Sequence, residues 1–476
     1  MATQPPSPAL LATLAERLGP RGFTAAADDL APWLTDWRGR VTGRTAALLS
    51  PADMDEVAMI VSHAAAQGVA IVPQGGNTSM VAGATPDASG HALLLSTRRM
   101  RAIRSISASD NVAVAEAGVV LEALHAAVEA EGRRFPLSLA AKGSATIGGL
   151  VSTNAGGTQV LRFGTMRSLV LGIEAVLPNG DRFDGLSALR KDNRGYDLRQ
   201  LLCGAEGTLG IVTAASLRLV PAAASRAVAW VGLDEPEAAL TLLRRLEARL
   251  GDAIESFEIV PAEALRLVLQ HIPGTRAPLA DTHAWNVLIE ATAGEGAADP
   301  ADALTGALAL AIEEGLARDA AIAGSEAQAE ALWKLRESIS EAERADGMAA
   351  KHDVALPVSA MPRFLVEGAR AVEARFPGTR VLAFGHLGDG NVHFNVRPPR
   401  GLPDRAWLES EGAGVSAYVH DLVGAEGGSL SAEHGIGQTK RAEFARVGGA
   451  ARIGALRAIK QALDPQGIMN PGKLVP

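Results

Sequence analysis

The sequence predicts an α+β fold divided into two or three domains, and three observations predict it. Its 476 residues exceed what one ordinary core holds. From Pro51 to about Pro221, short helical patterns alternate with apolar strands that break into glycine-rich loops. From about Ala222 to Ala425 longer helices alternate with strands, the texture of an α+β domain laid over another. With 47% hydrophobic and 21% charged residues, the balance is that of a folded chain.

The elements follow in order. Residues 1–50 read as a helical lead-in. Met54–Ala66 repeats apolar residues at helical spacing, and Val69–Val72 follows as a buried strand. Val112–Ala117 is a strand and Val120–Glu131 a helix; Leu169–Leu177 and Gly210–Val220 are β-rich, and Asn179-Gly180 marks a hairpin turn. In the second region, Glu235–Leu250 and Ala301–Gly315 read as helices and Ala284–Glu290 as a strand. The expected boundaries are therefore 51–221, 222–425 and a C-terminal segment 426–476, whose helix stops at Asp464-Pro465 before an Asn470-Pro471-Gly472 turn. The chain shows no internal repeat.

Several function classes drop out. A net charge of −8 argues against nucleic acid as a partner. No GxGxxG follows a strand, and no GxxxxGK[ST] is present, so a nicotinamide Rossmann unit and a P-loop are poorly supported. The only cysteine, Cys203, excludes an intrachain disulfide and a thiolate cluster, and reads as a small buried residue. The start lacks a basic flank and an apolar core, and apolar runs such as Ala307–Ile312 are too short to span a membrane. A cytoplasmic protein without a transmembrane segment is expected.

Three constellations carry chemistry. First, Val72 runs into Pro73-Gln74-Gly75-Gly76-Asn77-Thr78-Ser79, which offers several backbone N–H groups to one anion, a nest suited to a pyrophosphate. Two more such stretches follow: Gly143–Gly149, continued by Asn154–Gly157, and Gly204–Gly210.

Second, Leu382–His386 and Asn391–Val396 are apolar stretches joined through Gly388-Asp389-Gly390. A two-residue turn at Asp389-Gly390 sets His386 directly opposite His393, with Asn395 on the same face. Glu433-His434 offers a further ligand. Two histidines and a carboxylate suit zinc with one open position, and would also accept manganese or iron.

Third, Ala331–Arg344 reads as one helix on which Arg336 and Ser340, four apart, share a side. Arg336 offers a planar fork to a carboxylate, and Lys351, at the start of a strand, offers a second positive charge. A surface Arg336 paired with Glu337, Glu341 or Glu343 is the alternative.

The motifs PQGGNTSMVAGA, AKGSATIGG, STNAGG and CGAEGTLGIVT resemble the FAD-binding elements of the vanillyl-alcohol-oxidase-like flavoenzymes. SALRKDNRGYDLRQLL, HLGDGNVHFNV, SAEHGIGQTKR and DPQGIMNPGK are similar to the D-2-hydroxyglutarate dehydrogenase branch of that family, and the likeness runs from about Pro51 to the C-terminus. The resemblance implies a two-subdomain FAD-binding domain, an α+β cap domain for the substrate, and a C-terminal helical segment returning to the flavin domain. It implies FAD contacts at Pro73, Gln74, Gly75, Gly76, Asn77, Thr78 and Ser79, at Gly143, Ser144, Thr146, Ile147, Gly148, Asn154 and Gly157, and at Glu206, Gly207, Ile211 and Asn470. The first loop has no histidine, so the flavin is expected to be non-covalent; Ser79 and Ala82 stand where the family more often has glycine.

The resemblance further assigns the metal to His386, His393 and Glu433, the catalytic base to His434, and substrate contacts to Arg336, Ser340, Lys351, Asn395 and His434. Ser340 stands where threonine is expected. The implied reaction is oxidation of a D-2-hydroxy acid, D-2-hydroxyglutarate first and D-malate next, to the 2-oxo acid. D-lactate or glycolate oxidation on the same fold is the runner-up, and a non-catalytic flavin- or metal-binding module the reading from another class. Expected partners are the anionic substrate, an electron acceptor such as electron-transfer flavoprotein or a quinone, and a second copy in a homodimer.

Overall fold

The computed structural model describes residues 3–476, and the chain divides into two compact units. Unit 1 takes residues 1–156, 164–222 and 433–476; unit 2 takes 157–163 and 223–432. The lead-in before residue 51 is thus counted inside unit 1, and residues 426–432 inside unit 2. Residues 157–163, read as part of the flavin domain, are claimed by unit 2. There Arg162 Nη1 lies 2.6 Å from the buried Glu255 carboxylate, and Ser256 Oγ donates to the Thr158 carbonyl at 2.6 Å. A carboxylate with no exposed surface needs that counter-charge more than the chain needs sequence continuity.

Unit 1 contains two principal sheets. One, in the order Phe23–Thr24, Leu48–Leu49, Ala92–Ser96, Ala70–Gln74, has its first pairing antiparallel and the other two parallel. The other is antiparallel, in the order Ile103–Ser107, Val112–Glu116, Ile211–Arg218, Val170–Val176, Arg182–Gly185. The helix Met54–Gln67 starts on Asp53, whose side chain accepts the Glu56 N–H, and ends at Gly68 in the left-handed region. Its Val57, Ile60 and Val61 pack on Ile71, Leu93 and Leu95, and Ile468 and Met469 of the tail join that core. The tail returns to the sheet directly: Ile71 N–H donates to Ile468 O and Asn470 N–H to Ile71 O, both at 2.8 Å.

Unit 2 is built on a seven-stranded sheet in the order Asp319–Ile322, Ser225–Leu233, Trp285–Ala293, Ile254–Pro261, Arg380–His386, Asn391–Arg397, Ala350–Ala355. Every pairing is antiparallel. Helices Pro236–Leu250, Pro300–Glu313, Met361–Arg375 and Asp404–Ala425 bury one face against Phe257, Ile259, Val392 and Phe394. Helices Ala262–His271, Glu326–Glu337 and Ile339–Asp346 cover part of the other, against Trp230, Leu288 and Phe384. No helix among the described residues is long and apolar enough to cross a membrane.

Two local expectations are corrected. The single helix read over Ala331–Arg344 is two helices broken at Ser338, which sits at φ −79°, ψ −3°. Serine is a weak helix-interior residue, and the bend lets Leu335 and then Ile339 and Ala342 enter the same core. Arg336 consequently turns inward while Ser340 stays exposed, so the two do not share a side. The hairpin register also differs. Four residues, Leu387–Gly390, form the loop, and His386 pairs with Asn391 while His393 faces Phe384. The His386 carbonyl accepts the Gly390 N–H at 3.0 Å and Asp389 Oδ1 accepts the Asn391 N–H at 3.0 Å, which favours the longer turn. The register moves by two residues, an even step, so each side chain keeps its face.

Candidate active site

Unit 1 holds a cleft with about 280 Å³ open to the centre of a water molecule. It forms where two parallel strands end level: Gln74 pairs with Ser96, and Thr97 N–H donates to Gln74 O at 3.0 Å. The loop Pro73–Ser79 lines it, with Thr146, Gly148, Glu206, Gly207 and Ile211. Backbone crowding explains the paired glycines, since a Cβ on Gly76 would meet Ser144 O at 1.8 Å. Thr97 and Thr146 hydroxyls are buried in this wall without a hydrogen-bond partner among the described residues, the pattern of donors awaiting a polar ligand.

Other residues expected to touch the cofactor lie away from the cleft lining. Gly143 and Ser144 are exposed, and Ile147 is fully buried in the core. Asn154 ends a helix at φ 50° and accepts the Arg167 N–H at 2.9 Å. Asn470 Nδ2 donates to Gly83 O and Glu206 O, and Gly157 belongs to unit 2. Thr97 went unforeseen; its signal is its place after a strand parallel to the one that feeds the glycine loop.

Glu433 and His434 line this same cleft. Their loop is held from beneath by Glu206, whose carboxylate accepts Ile436 N–H at 2.8 Å and Gly437 N–H at 2.7 Å. Glu206 itself sits at φ 51°, and burial pushes its carboxyl above the usual range against those two donors. Gly435 is glycine here because it runs at φ +77° and a Cβ would meet Glu206 Oε1 at 2.7 Å. Val81 O accepts Gln438 N–H, and Leu474 N–H donates to Gly437 O, closing the loop from two further sides.

In unit 2 the sheet gathers a polar cluster at one end of its second face. Pairings Glu258 with His386, Phe384 with His393, His393 with Asp353 and Asn395 with Lys351 place all of these side chains on one surface. The His386 and His393 rings are edge to face with centroids 5.6 Å apart. Glu258 Oε1 lies 2.6 Å from His386 Nδ1. Although burial opposes its charge, His386 and Arg336 hold the Glu258 carboxyl below its ordinary range. With the carboxylate as acceptor, Nδ1 is the donor, the tautomer that in a neutral imidazole carries the lone pair on Nε2.

The cationic pair is engaged differently from the expectation. Arg336 is buried; its Nε donates to Glu258 Oε2 at 2.8 Å, and Nη2 lies 2.8 Å from the same oxygen. Lys351 Nζ and Asn395 Nδ2 both meet Glu343 Oε2, at 2.6 and 3.0 Å. Glu343 is wholly buried, and its Oε1 has no hydrogen-bond partner among the described residues. The sequence offers Glu343 as a partner for Arg336 but does not single out Glu258 or Asp353. Their signal was acidic residues inside apolar strands, where an unpaired carboxylate is too costly to keep. Two cations thus face three carboxylates, Glu258, Glu343 and Asp353, beside two imidazoles. That donor set fits a divalent cation and is ill suited to an anionic ligand without one. Ala432, the last residue of unit 2, donates its N–H to Asp353 O at 3.3 Å.

Family matches and relatives make this chain a FAD-linked oxidoreductase. Residues 45–184 match the FAD binding domain family, and 222–474 match the C-terminal domain of FAD linked oxidases. A mitochondrial D-2-hydroxyglutarate dehydrogenase of Bos taurus is 38% identical over 97% of this chain and 82% of its own length. One from Xanthomonas citri pv. viticola is 37% identical over 94% and 92%. A solved p-cresol methylhydroxylase, 16% identical, superposes with a TM-score of 0.73 over 99% of this chain and 98% of its own, a likeness of fold. The chain belongs to the D-2-hydroxyglutarate dehydrogenase family of FAD-linked enzymes.

Proposed function

We propose that this protein oxidises a D-2-hydroxy acid, D-2-hydroxyglutarate first, to the 2-oxo acid, with His434 as base and a divalent metal, zinc first, on His386, His393 and Glu433. The observation that supports the reading is that Glu433 and His434 line the same cleft as the glycine loops, where His434 would stand at a bound flavin. Bound FAD supplies the hydride acceptor, and the metal supplies Lewis-acid polarisation of the 2-hydroxyl. His434 takes the hydroxyl proton, a task for neutral imidazole near neutral pH. Lys351 and Asn395 orient a substrate carboxylate from positions already fixed by Glu343, and Arg336 adds a positive charge from a position fixed by Glu258. Ser340, exposed on its short helix, completes the substrate set named by the resemblance. Electrons then pass to an electron-transfer flavoprotein or a quinone, and the working unit is a homodimer in the cytoplasm.

A shorter substrate, D-lactate or glycolate, is favoured by one observation. Both expected cations already face carboxylates, which weakens the case for a second anionic anchor. Anaerobic mixing of the purified, metal-replete protein with D-2-hydroxyglutarate, D-malate, D-lactate, glycolate and the L-enantiomers of the chiral acids decides it. Bleaching of the flavin by the D-dicarboxylates supports the proposal; bleaching by D-lactate or glycolate alone keeps the chemistry and replaces the substrate. His434→Ala should keep its flavin and lose the bleaching.

A further inference from the structure

We infer that Glu258 is a positioning residue that fixes a metal-ligating imidazole and the substrate-facing guanidinium at the same time. The inference rests on the metal reading above and concerns a residue to which that reading gives no role. Glu258 lies on the strand Ile254–Pro261, opposite His386 in the register, and its side chain is fully buried.

The way its two oxygens are divided is informative. A carboxylate that serves only to neutralise a buried arginine pairs both oxygens with the guanidinium fork. Here one oxygen goes to each partner: Oε1 to His386 Nδ1 at 2.6 Å, and Oε2 to Arg336 Nε at 2.8 Å. Holding Nδ1–H selects the tautomer with the Nε2 lone pair and raises the basicity of the ring, the usual function of a carboxylate behind a ligating histidine. Holding Nε fixes the plane of Arg336, which lies over the Phe384 ring at 5.1 Å. That ring lies 5.1 Å from the ring of His393. One buried carboxylate therefore sets the orientation of His386 directly, and of Arg336 against the ring that backs His393.

The test uses the FAD-bound protein stripped of metal and titrated with zinc against a competing chelator, comparing wild type with Glu258→Gln. Glutamine keeps an acceptor but removes the charge. Zinc affinity should fall about 10- to 100-fold, the KM for the D-2-hydroxy acid should rise, and the flavin absorbance should be unchanged. Equal zinc affinity in a folded Glu258→Gln protein overturns the inference. Should that variant not fold, because Arg336 has lost its counter-charge, the double variant Glu258→Gln/Arg336→Met is compared with Arg336→Met. The inference expects weaker zinc binding in the double variant and fails when the two bind alike. A wild type that takes up no zinc overturns the metal reading and this inference together, whereas uptake unaffected by either Glu258 substitution overturns this inference alone.

Discussion

Lys473 and Cys203 carry ionisable groups that burial shifts in opposite directions, each toward its neutral form. Burial lowers the Lys473 ammonium to about 8 and raises the Cys203 thiol to about 11. For Lys473 the folded protein holds fewer protons than the unfolded chain between about pH 8 and the ordinary lysine value of 10.5, so stability rises with pH across that window. Relative to Lys473→Met, the wild type should gain about 2 kcal/mol between pH 7.5 and 9.5. Urea unfolding at the two values measures this, and a constant difference between the proteins would count against it. The Cys203 thiol should resist a disulfide reagent at pH 8 in the native protein and react once the chain is unfolded. Cys203 was readable in advance because a lone cysteine beside an apolar stretch is usually buried. Lys473 was not, since its partner Gln438 stands 35 positions away and only the returning tail brings them within 2.6 Å.

Hairpins and loops show where sequence patterns stop being informative. Parity alone put His386, His393 and Asn395 on one face, and that survived a register that differed by two residues, because a two-residue shift does not change faces. The loop length did not survive, since it depends on contacts that no local pattern encodes. Gly390 is one: it runs at φ +81°, and a Cβ there would lie 2.1 Å from Leu356 O, a residue on a different strand exit. Gly390→Ala should cost roughly 3 kcal/mol or more and lower the melting temperature by several degrees in a calorimetric scan. An unchanged transition would mean that the loop has other conformations open to it. The glycine loops of the cleft were legible for the converse reason, that close backbone approach demands glycine whatever surrounds it. The Glu206 clamp was not, because it joins residues 230 positions apart. Glu206→Ala strands two buried N–H groups, each worth about 1–3 kcal/mol when unmet. Flavin reduction should slow at least about tenfold with FAD still bound, and a variant reduced at the wild-type rate would leave the Glu206 hold on the Ile436–Gly437 loop without influence on the reaction.

At the scale of the whole molecule, the flavin cleft and the histidine pair belong to different units. Every residue lining the cleft comes from unit 1, whereas His386 and His393 belong to unit 2. The division is approximately legible in the sequence, because glycine-rich loops between short strands give way near residue 222 to longer helices alternating with strands. The early crossing at residues 157–163 has no local sign, since Arg162 of that segment meets Glu255, 93 positions further on. On the proposed metal reading, one experiment tests whether an ion and the cofactor are held independently. A chelator should remove the metal without releasing FAD, because no cleft residue among those described is lost with it except the position of Glu433. Substrate-driven flavin reduction should then fall by about two orders of magnitude or more, the loss of a Lewis acid worth several kcal/mol, and zinc should restore it. The measurement is a desalted absorbance spectrum paired with anaerobic stopped-flow reduction. Full reduction after chelation removes the metal from the chemistry. Loss of the flavin band would show instead that the chelated ion helps to hold the cofactor.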